Sequence, residues 1–290
     1  MGCRLEQLAG VYTLKTPLEA RAPLLVEVPR SGREYPNDFR VSASFEVLHA
    51  YVSMYVEEIY GLAPEAGAQL FWANFPNSFV DANRPVDDID PELLADEWPT
   101  PVNPTDKSLR LGTGLIHKWG RADQPLYDRK LGVDEVKRRI DGYYVPYHEK
   151  LGELIDAVAD EYGASWHFSC HCMATVGPHY AHDKGLRRRD ICLSDLNGLT
   201  TDPEFMQISR EAFEAQGFTV SFNDPFVGNV CIGRHSDVAR GRNSIQIEMT
   251  KGLYMNEATF EKLPCFDEVR TRFGAVLGTI AGYCRDKAAK

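Results

Sequence analysis

Glu248 lies in the run Ser244-Ile245-Gln246-Ile247-Glu248-Met249, where an extended backbone puts Gln246 and Glu248 on one face and Ile245, Ile247 and Met249 on the other. A carboxylate held among apolar neighbours resists ionisation, so its pKa rises toward the range useful for general base work. The same spacing equally suits a strand-end glutamate in an ion pair with a nearby arginine. Arg84, after Asp81-Ala82-Asn83, offers a planar donor fork able to grip a carboxylate in two places, with Asn83 adding a further hydrogen bond. The competing reading is a structural pair with Asp81 or Asp87. His167 and His171 are four apart in a strand-like run, so they point the same way with Ser169 between them. Cys170, Cys172, His179 and His182 follow, but their spacing matches no strong zinc motif, and a single functional histidine is the better reading of this run. Cys172, beside His171, is a candidate thiolate nucleophile, although most free cysteines are inert.

Five segments are predicted as strands that would position these groups: 24–28, 68–72, 165–171, 218–222 and 244–249. Helical periodicity predicts helices over 43–60, 134–161, 204–216 and 256–285, with Pro146 kinking or splitting the second. Short β-like runs alternating with longer helical ones imply an α/β layer architecture with a largely parallel or mixed sheet. In such sheets ligands gather beyond the carboxyl ends of strands, and the residues after four of the five strands are polar or ionisable. The stretch from Asp87 to Arg129 carries Pro91, Pro99, Pro101, Pro104 and Pro125 with little periodicity. It reads as an irregular excursion at about 87–130 within one domain spanning 1–290, and excursions of this length are often functional. The six acids between Asp87 and Glu97 read as a solvated acidic face.

The 290 residues are 43% hydrophobic and 26% charged, the makeup of an ordinary packed protein. Lys and Arg number 32 against 42 Asp and Glu, and a net charge of −10 repels phosphate backbones, so nucleic acid is not an expected partner. No apolar stretch approaches the ~20 residues of a membrane helix. Arg4 and Glu6 interrupt the N-terminal stretch, so no secretory signal is read. Seven thinly spread cysteines point to reduced thiols and a cytoplasmic setting. The oligomeric state has no signature.

Several segments, taken in order, resemble the N-formylglutamate amidohydrolase family. They are Val28-Pro29-Arg30-Ser31-Gly32 with Tyr35-Pro36, then Phe79 to Pro85, and then Arg139-Ile140 through Tyr144-Val145-Pro146-Tyr147-His148. Further on come Ser169 to Met173, Asn223 to Gly228, and Gln246 to Met249 followed by Leu253 to Glu257. Collinear order over about residues 24–260 is far more specific than any one motif. The resemblance implies a three-layer α/β/α fold with a mixed central sheet, similar to zinc-dependent exopeptidases. It also implies hydrolysis of a small acidic N-acyl amino acid, N-formylglutamate, to formate and glutamate. It implies Glu248 as general base, Asn83 and Arg84 as the substrate-carboxylate grip, and Arg234 and Asn223 as further substrate contacts. His171 resembles a zinc ligand. Arg30 stands where the family carries a histidine, so it is expected to polarise the scissile carbonyl or bind substrate charge. Any zinc would then draw on His171, Glu34, His167 and His49. A catalytically altered chain that binds a dicarboxylate ligand is the alternative.

Overall fold

The structure, a computed structural model, describes residues 2–120 and 124–288. Its strands are β1 (Cys3–Leu8), β2 (Tyr12–Pro17), β3 (Leu24–Val28), β4 (Gln69–Ala73), β5 (Ser165–Met173), β6 (Ile191–Ser194), β7 (Val220–Phe222) and β8 (Arg242–Thr250). They form one mixed sheet in the order β1-β2-β4-β3-β5-β8-β6-β7. The four central strands β4, β3, β5 and β8 run parallel, and antiparallel pairs join β2 to β4 and β8 to β6. The helices are α1 (Phe45–His49), α2 (Val56–Ile59), α3 (Ala63–Ala66), α4 (Asp106–Leu111), α5 (Val133–Arg139), α6 (Val145–Tyr162), α7 (Pro203–Ala215), α8 (Val230–Gly233) and α9 (Phe266–Ala288). Among the described residues, no helix is long and apolar enough to cross a membrane.

Two apolar cores lie on opposite faces of the sheet, which gives the three layers expected. One joins Val26, Phe168, Ile245 and Ile247 to Phe205 and Phe213 of α7 and Phe273, Val276 and Ile280 of α9. Those helix positions recur every three or four residues, the period that turns one stripe inward. The other core joins Leu14, Leu25 and Phe71 to Val136 of α5 and Tyr147, Leu151 and Ile155 of α6. The excursion from 87 to 130 packs here too, through Ile89, Leu93, Leu115, Ile116 and Leu126. Residues 121–123 of the excursion lie outside the described residues.

Two helix expectations need correction. The segment 43–60 is not one helix: it breaks between α1 and α2, where Tyr55 takes a positive φ of 63° and the Ser53 N–H donates to the Arg30 carbonyl. A long-range hydrogen bond there replaces the local ladder. The last helix begins at Phe266, not at 256, because Pro264 disfavours helical backbone in the residue before it and Asn256 to Phe260 fold into a turn. The second helix is split ahead of Pro146, as expected, by a five-residue π turn, Ile140–Tyr144, which absorbs the missing N–H. Strands β1, β2 and β6 were not legible as strands. The acidic run is not simply a solvated face either. Asp88 is buried and accepts from the Thr105 N–H and hydroxyl, and buried Asp90 pairs with Lys118.

Candidate active site

Alternation on the central strands sends polar residues to one face. Glu27, His167, Ser169, His171, Ser244, Gln246 and Glu248 form a seam in which none is more than 5% exposed. Register places them in rows: Glu27 beside Ser169 beside Gln246, and His171 beside Glu248. Buried polar groups must be paired, and here one backbone donor sets the orientation of the whole chain of partners. The Cys231 N–H in α8 donates to Asn83 Oδ1 at 3.0 Å. Asn83 Nδ2 therefore faces Gln246 Oε1 at 2.9 Å and His171 Nε2 at 3.3 Å. Gln246 Nε2 in turn donates to Glu248 Oε1 at 3.0 Å. His171 Nε2 is thus an acceptor, and Nδ1, which has no partner, carries the proton.

The loops after β3 and β4 deliver the cations. Gly32 is required because a Cβ would lie 2.1 Å from the Phe75 carbonyl oxygen, so only glycine lets the two loops touch. That contact brings Arg30 onto Asp81 as a two-pronged pair, Nε to Oδ1 at 2.9 Å and Nη2 to Oδ2 at 2.6 Å. Asp81 is fully buried and also meets His117 Nε2 at 3.2 Å. Arg84 is anchored by Nε on the Thr113 carbonyl at 2.7 Å and Nη1 on the Asn83 carbonyl at 2.9 Å. Tyr144, at the end of the π turn, holds the Arg84 carbonyl at 2.9 Å. Among the described residues, neither Nη1 of Arg30 nor Nη2 of Arg84 has a hydrogen-bond partner. Lys107 on α4 is half-buried, has no ion pair among the described residues, and is close enough for the charges of Arg84, Arg30 and Glu248 to act on its amine.

These placements shift the titrations. Burial raises Glu248 from 4.5 to about 7, and the opposing pull of Arg30, Lys107, Arg188 and Arg84 does not cancel it. Asp81 goes the other way: burial would raise it, but Arg30, Arg84 and His117 hold it far below the carboxylate range. Burial, then Arg30, lowers His171 to about 3, so it stays neutral. Burial and the neighbouring Arg84 and Arg30 bring Lys107 down to about 8. A proton acceptor poised near neutrality thus sits among fixed cations, an arrangement suited to activating water beside an anionic ligand. The site is largely buried, and the Arg30 side chain keeps 17% exposure while Asp81 has none. An open groove of about 320 Å³ between the β1–β2 hairpin and α6, lined by Arg4, Glu6, Leu14 and Lys150, contains none of these groups.

The profile of the N-formylglutamate amidohydrolase family matches residues 22–255, most of the chain. The chain belongs to the N-formylglutamate amidohydrolase family. An N-formylglutamate deformylase of Pseudomonas putida is 24% identical over 245 residues, covering 82% of this chain and 84% of the relative. The crystal structure of N-formylglutamate amidohydrolase from Ralstonia eutropha JMP134 superposes with a TM-score of 0.89 at 35% identity, covering 96% of this chain and 99% of that one. A gene product of Agrobacterium tumefaciens, 17% identical with a TM-score of 0.69 and 97% of each chain covered, shares the fold.

Within this amidohydrolase fold, Glu248, Arg30, Arg84, Asn83 and His171 converge. Asn83, expected to touch substrate, has both amide atoms committed to Cys231, Gln246 and His171, so it positions its neighbours. Asn223 does not join them: its amide exchanges hydrogen bonds with the Asp195 backbone and carboxylate at 3.1 and 2.8 Å. Arg234, exposed at the end of α8, lies beside Tyr144 and His148. Cys172 packs toward the opposite core, and burial raises its thiol, which leaves little thiolate. Sequence reasoning missed Lys107 and His117, both in the proline-rich excursion. It treated Asp81 only as a rival partner for Arg84, whereas Asp81 holds Arg30.

The residues present do not fit a zinc ion. Zinc needs three or four thiolate, imidazole or carboxylate donors, and among the described residues no three His, Cys, Asp or Glu gather to hold a metal. The four ligand candidates do not meet. His171 Nε2 accepts from Asn83, and His167 Nδ1 meets Ser244 Oγ with Nε2 facing Glu27. His49 bonds Tyr35 through Nδ1, and Glu34 is exposed. Arg30 is permanently protonated and cannot coordinate.

Proposed function

We propose that this chain hydrolyses N-formylglutamate to formate and glutamate, with Glu248 as general base. One observation carries this reading: a buried carboxyl raised to about 7 stands where Arg30, Arg84 and Lys107 can bind a dianion around it. Its support from relatives is the deformylase activity named for the Pseudomonas protein and the amidohydrolase named for the Ralstonia structure. Arg84 Nη2 and Lys107 receive the substrate carboxylates, and Arg30 Nη1 faces the formyl oxygen. Glu248 takes a proton from water, and the hydroxide adds to the formyl carbon. Negative charge grows on the formyl oxygen against Arg30, whose guanidinium Asp81 keeps in place. Collapse breaks the C–N bond while Glu248 returns the proton to the leaving nitrogen, and formate and glutamate depart. All seven cysteines are free thiols, which suits a reducing cytoplasm.

The test is formate release from N-formylglutamate by the wild-type chain and by Glu248→Gln. Repeated turnover that the substitution abolishes is the expected result. A second reading, a dicarboxylate-binding protein without turnover, is favoured by Arg30 in place of the family's histidine. Saturable glutamate binding with no formate produced would establish it and remove the first.

A further inference from the structure

We propose that this cleft binds its anionic ligand without a divalent metal, the fixed guanidinium of Arg30 supplying the positive charge that a metal would otherwise bring there. The inference rests on reading the cleft as the active site, but it concerns what the cleft binds and does not depend on turnover.

The donor chemistry comes first. Asp81, the carboxylate nearest the position, has Oδ1 engaged by Arg30 Nε and by the Asn83 N–H, and Oδ2 engaged by Arg30 Nη2 and His117 Nε2. The lone pair of His171 Nε2 is taken by the Asn83 amide at 3.3 Å and faces Ser169 Oγ at 3.1 Å. Each partner is itself fixed, since Asn83 is oriented by the Cys231 N–H. Among the described residues, the carboxylate oxygens of the seam left without a hydrogen bond are Glu248 Oε2 and Glu27 Oε2, the latter fully buried and facing His167 Nε2 at 3.5 Å, and no three His, Cys, Asp or Glu side chains gather to hold a metal. The field points the same way. Arg30, Arg84, Lys107 and Arg188 all act on Glu248; Arg30 and Arg188 are matched by Asp81 and Asp183, which leaves the Arg84 and Lys107 charges to face an incoming dication beside the single Glu248 carboxylate. Arginine binds an anion by donation, and Arg30 Nη1 has no hydrogen-bond partner among the described residues. The same field that repels a dication attracts a dicarboxylate and a developing oxyanion.

Elemental analysis of the chain purified from zinc-supplemented culture, together with calorimetric titration of zinc chloride into the apo protein, tests this directly. The expected result is metal well below one equivalent per chain, no saturable zinc heat, and formate release unchanged after chelator treatment. Arg30→His restores an imidazole beside Asp81 and should gain a saturable zinc heat that Arg30→Ala lacks. One equivalent of tightly held metal in the wild type that disappears in His171→Ala or Glu248→Gln overturns the proposal. Zinc that survives both substitutions lies outside the cleft and leaves it standing. A metal-free chain that releases no formate supports this inference while sinking the hydrolase reading, and a metal-loaded chain that turns over does the reverse.

Discussion

Glu248→Gln keeps the size of the native side chain and its hydrogen bond from Gln246 while removing its titration. Below pH 4.5 the glutamate is protonated in both the folded and unfolded states, and the two proteins should be about equally stable. As pH rises from 4.5 toward about 7, the unfolded chain ionises while the folded one holds its proton, so the wild type loses stability. Above about 7 the folded carboxyl is ionised as well, and the loss is complete. A pKa raised from 4.5 to about 7 corresponds to roughly 3 kcal/mol, at about 1.4 kcal/mol per tenfold change in the protonation constant. Glutamine never bears that cost, so the substituted chain should be more stable by up to about that amount at alkaline pH, and less active by a factor of ~10²–10⁴. Urea unfolding at one pH below 4.5 and one well above 7, with formate assays on the same samples, measures both effects. Equal stability at both pH values, or a less stable Gln variant at the higher one, would show that burial does not strain this carboxylate.

Turnover should rise with pH through about 7 and then level, because Glu248 must be ionised to accept a proton; a flat kcat/KM profile across that range argues against its role as base. Asp81→Asn leaves the Arg30 charge without its buried partner, so unfolding free energy should fall by about 3–5 kcal/mol and kcat should drop; denaturant melts and steady-state kinetics check both. Arg84→Lys cannot hold both the Thr113 and Asn83 carbonyls and still reach a carboxylate, and KM should rise ~10–100-fold with a smaller change in kcat. Lys107→Met removes no ion pair among the described residues and keeps most of the aliphatic stem, so stability should stay within about 1 kcal/mol while KM rises. In the wild type KM should climb above pH 8, where the amine of Lys107 begins to discharge. A KM unaffected by both changes removes Lys107 from the site.

The groups borne on regular strands were legible. Glu248 and Gln246 share a face because the run alternates, and His171 falls beside Glu248 once β5 and β8 pair in register. What stayed hidden depends on contacts distant in sequence. Nothing in the spacing of Asp81 says that it pairs with Arg30, 51 residues earlier, and not with Arg84, three residues later. The role of Asn83 follows from a backbone N–H 148 residues away. The break after α1 follows from the Ser53 bond to the Arg30 carbonyl, which no local propensity encodes. Lys107 and His117 come from a segment with little periodicity, whose path is set by packing of Ile89, Leu115 and Ile116 under the second helix layer. Parity assigns a side chain to a face, but only the folded loops decide which charges meet there.

A crystal structure of the Glu248→Gln chain soaked with N-formylglutamate tests the central claim most directly. The substrate should lie with its formyl oxygen on Arg30 Nη1, a carboxylate on Arg84 Nη2, and its formyl carbon facing the amide at position 248. A ligand bound elsewhere, or bound with its formyl group turned away from Arg30 and position 248, would contradict the mechanism at its base.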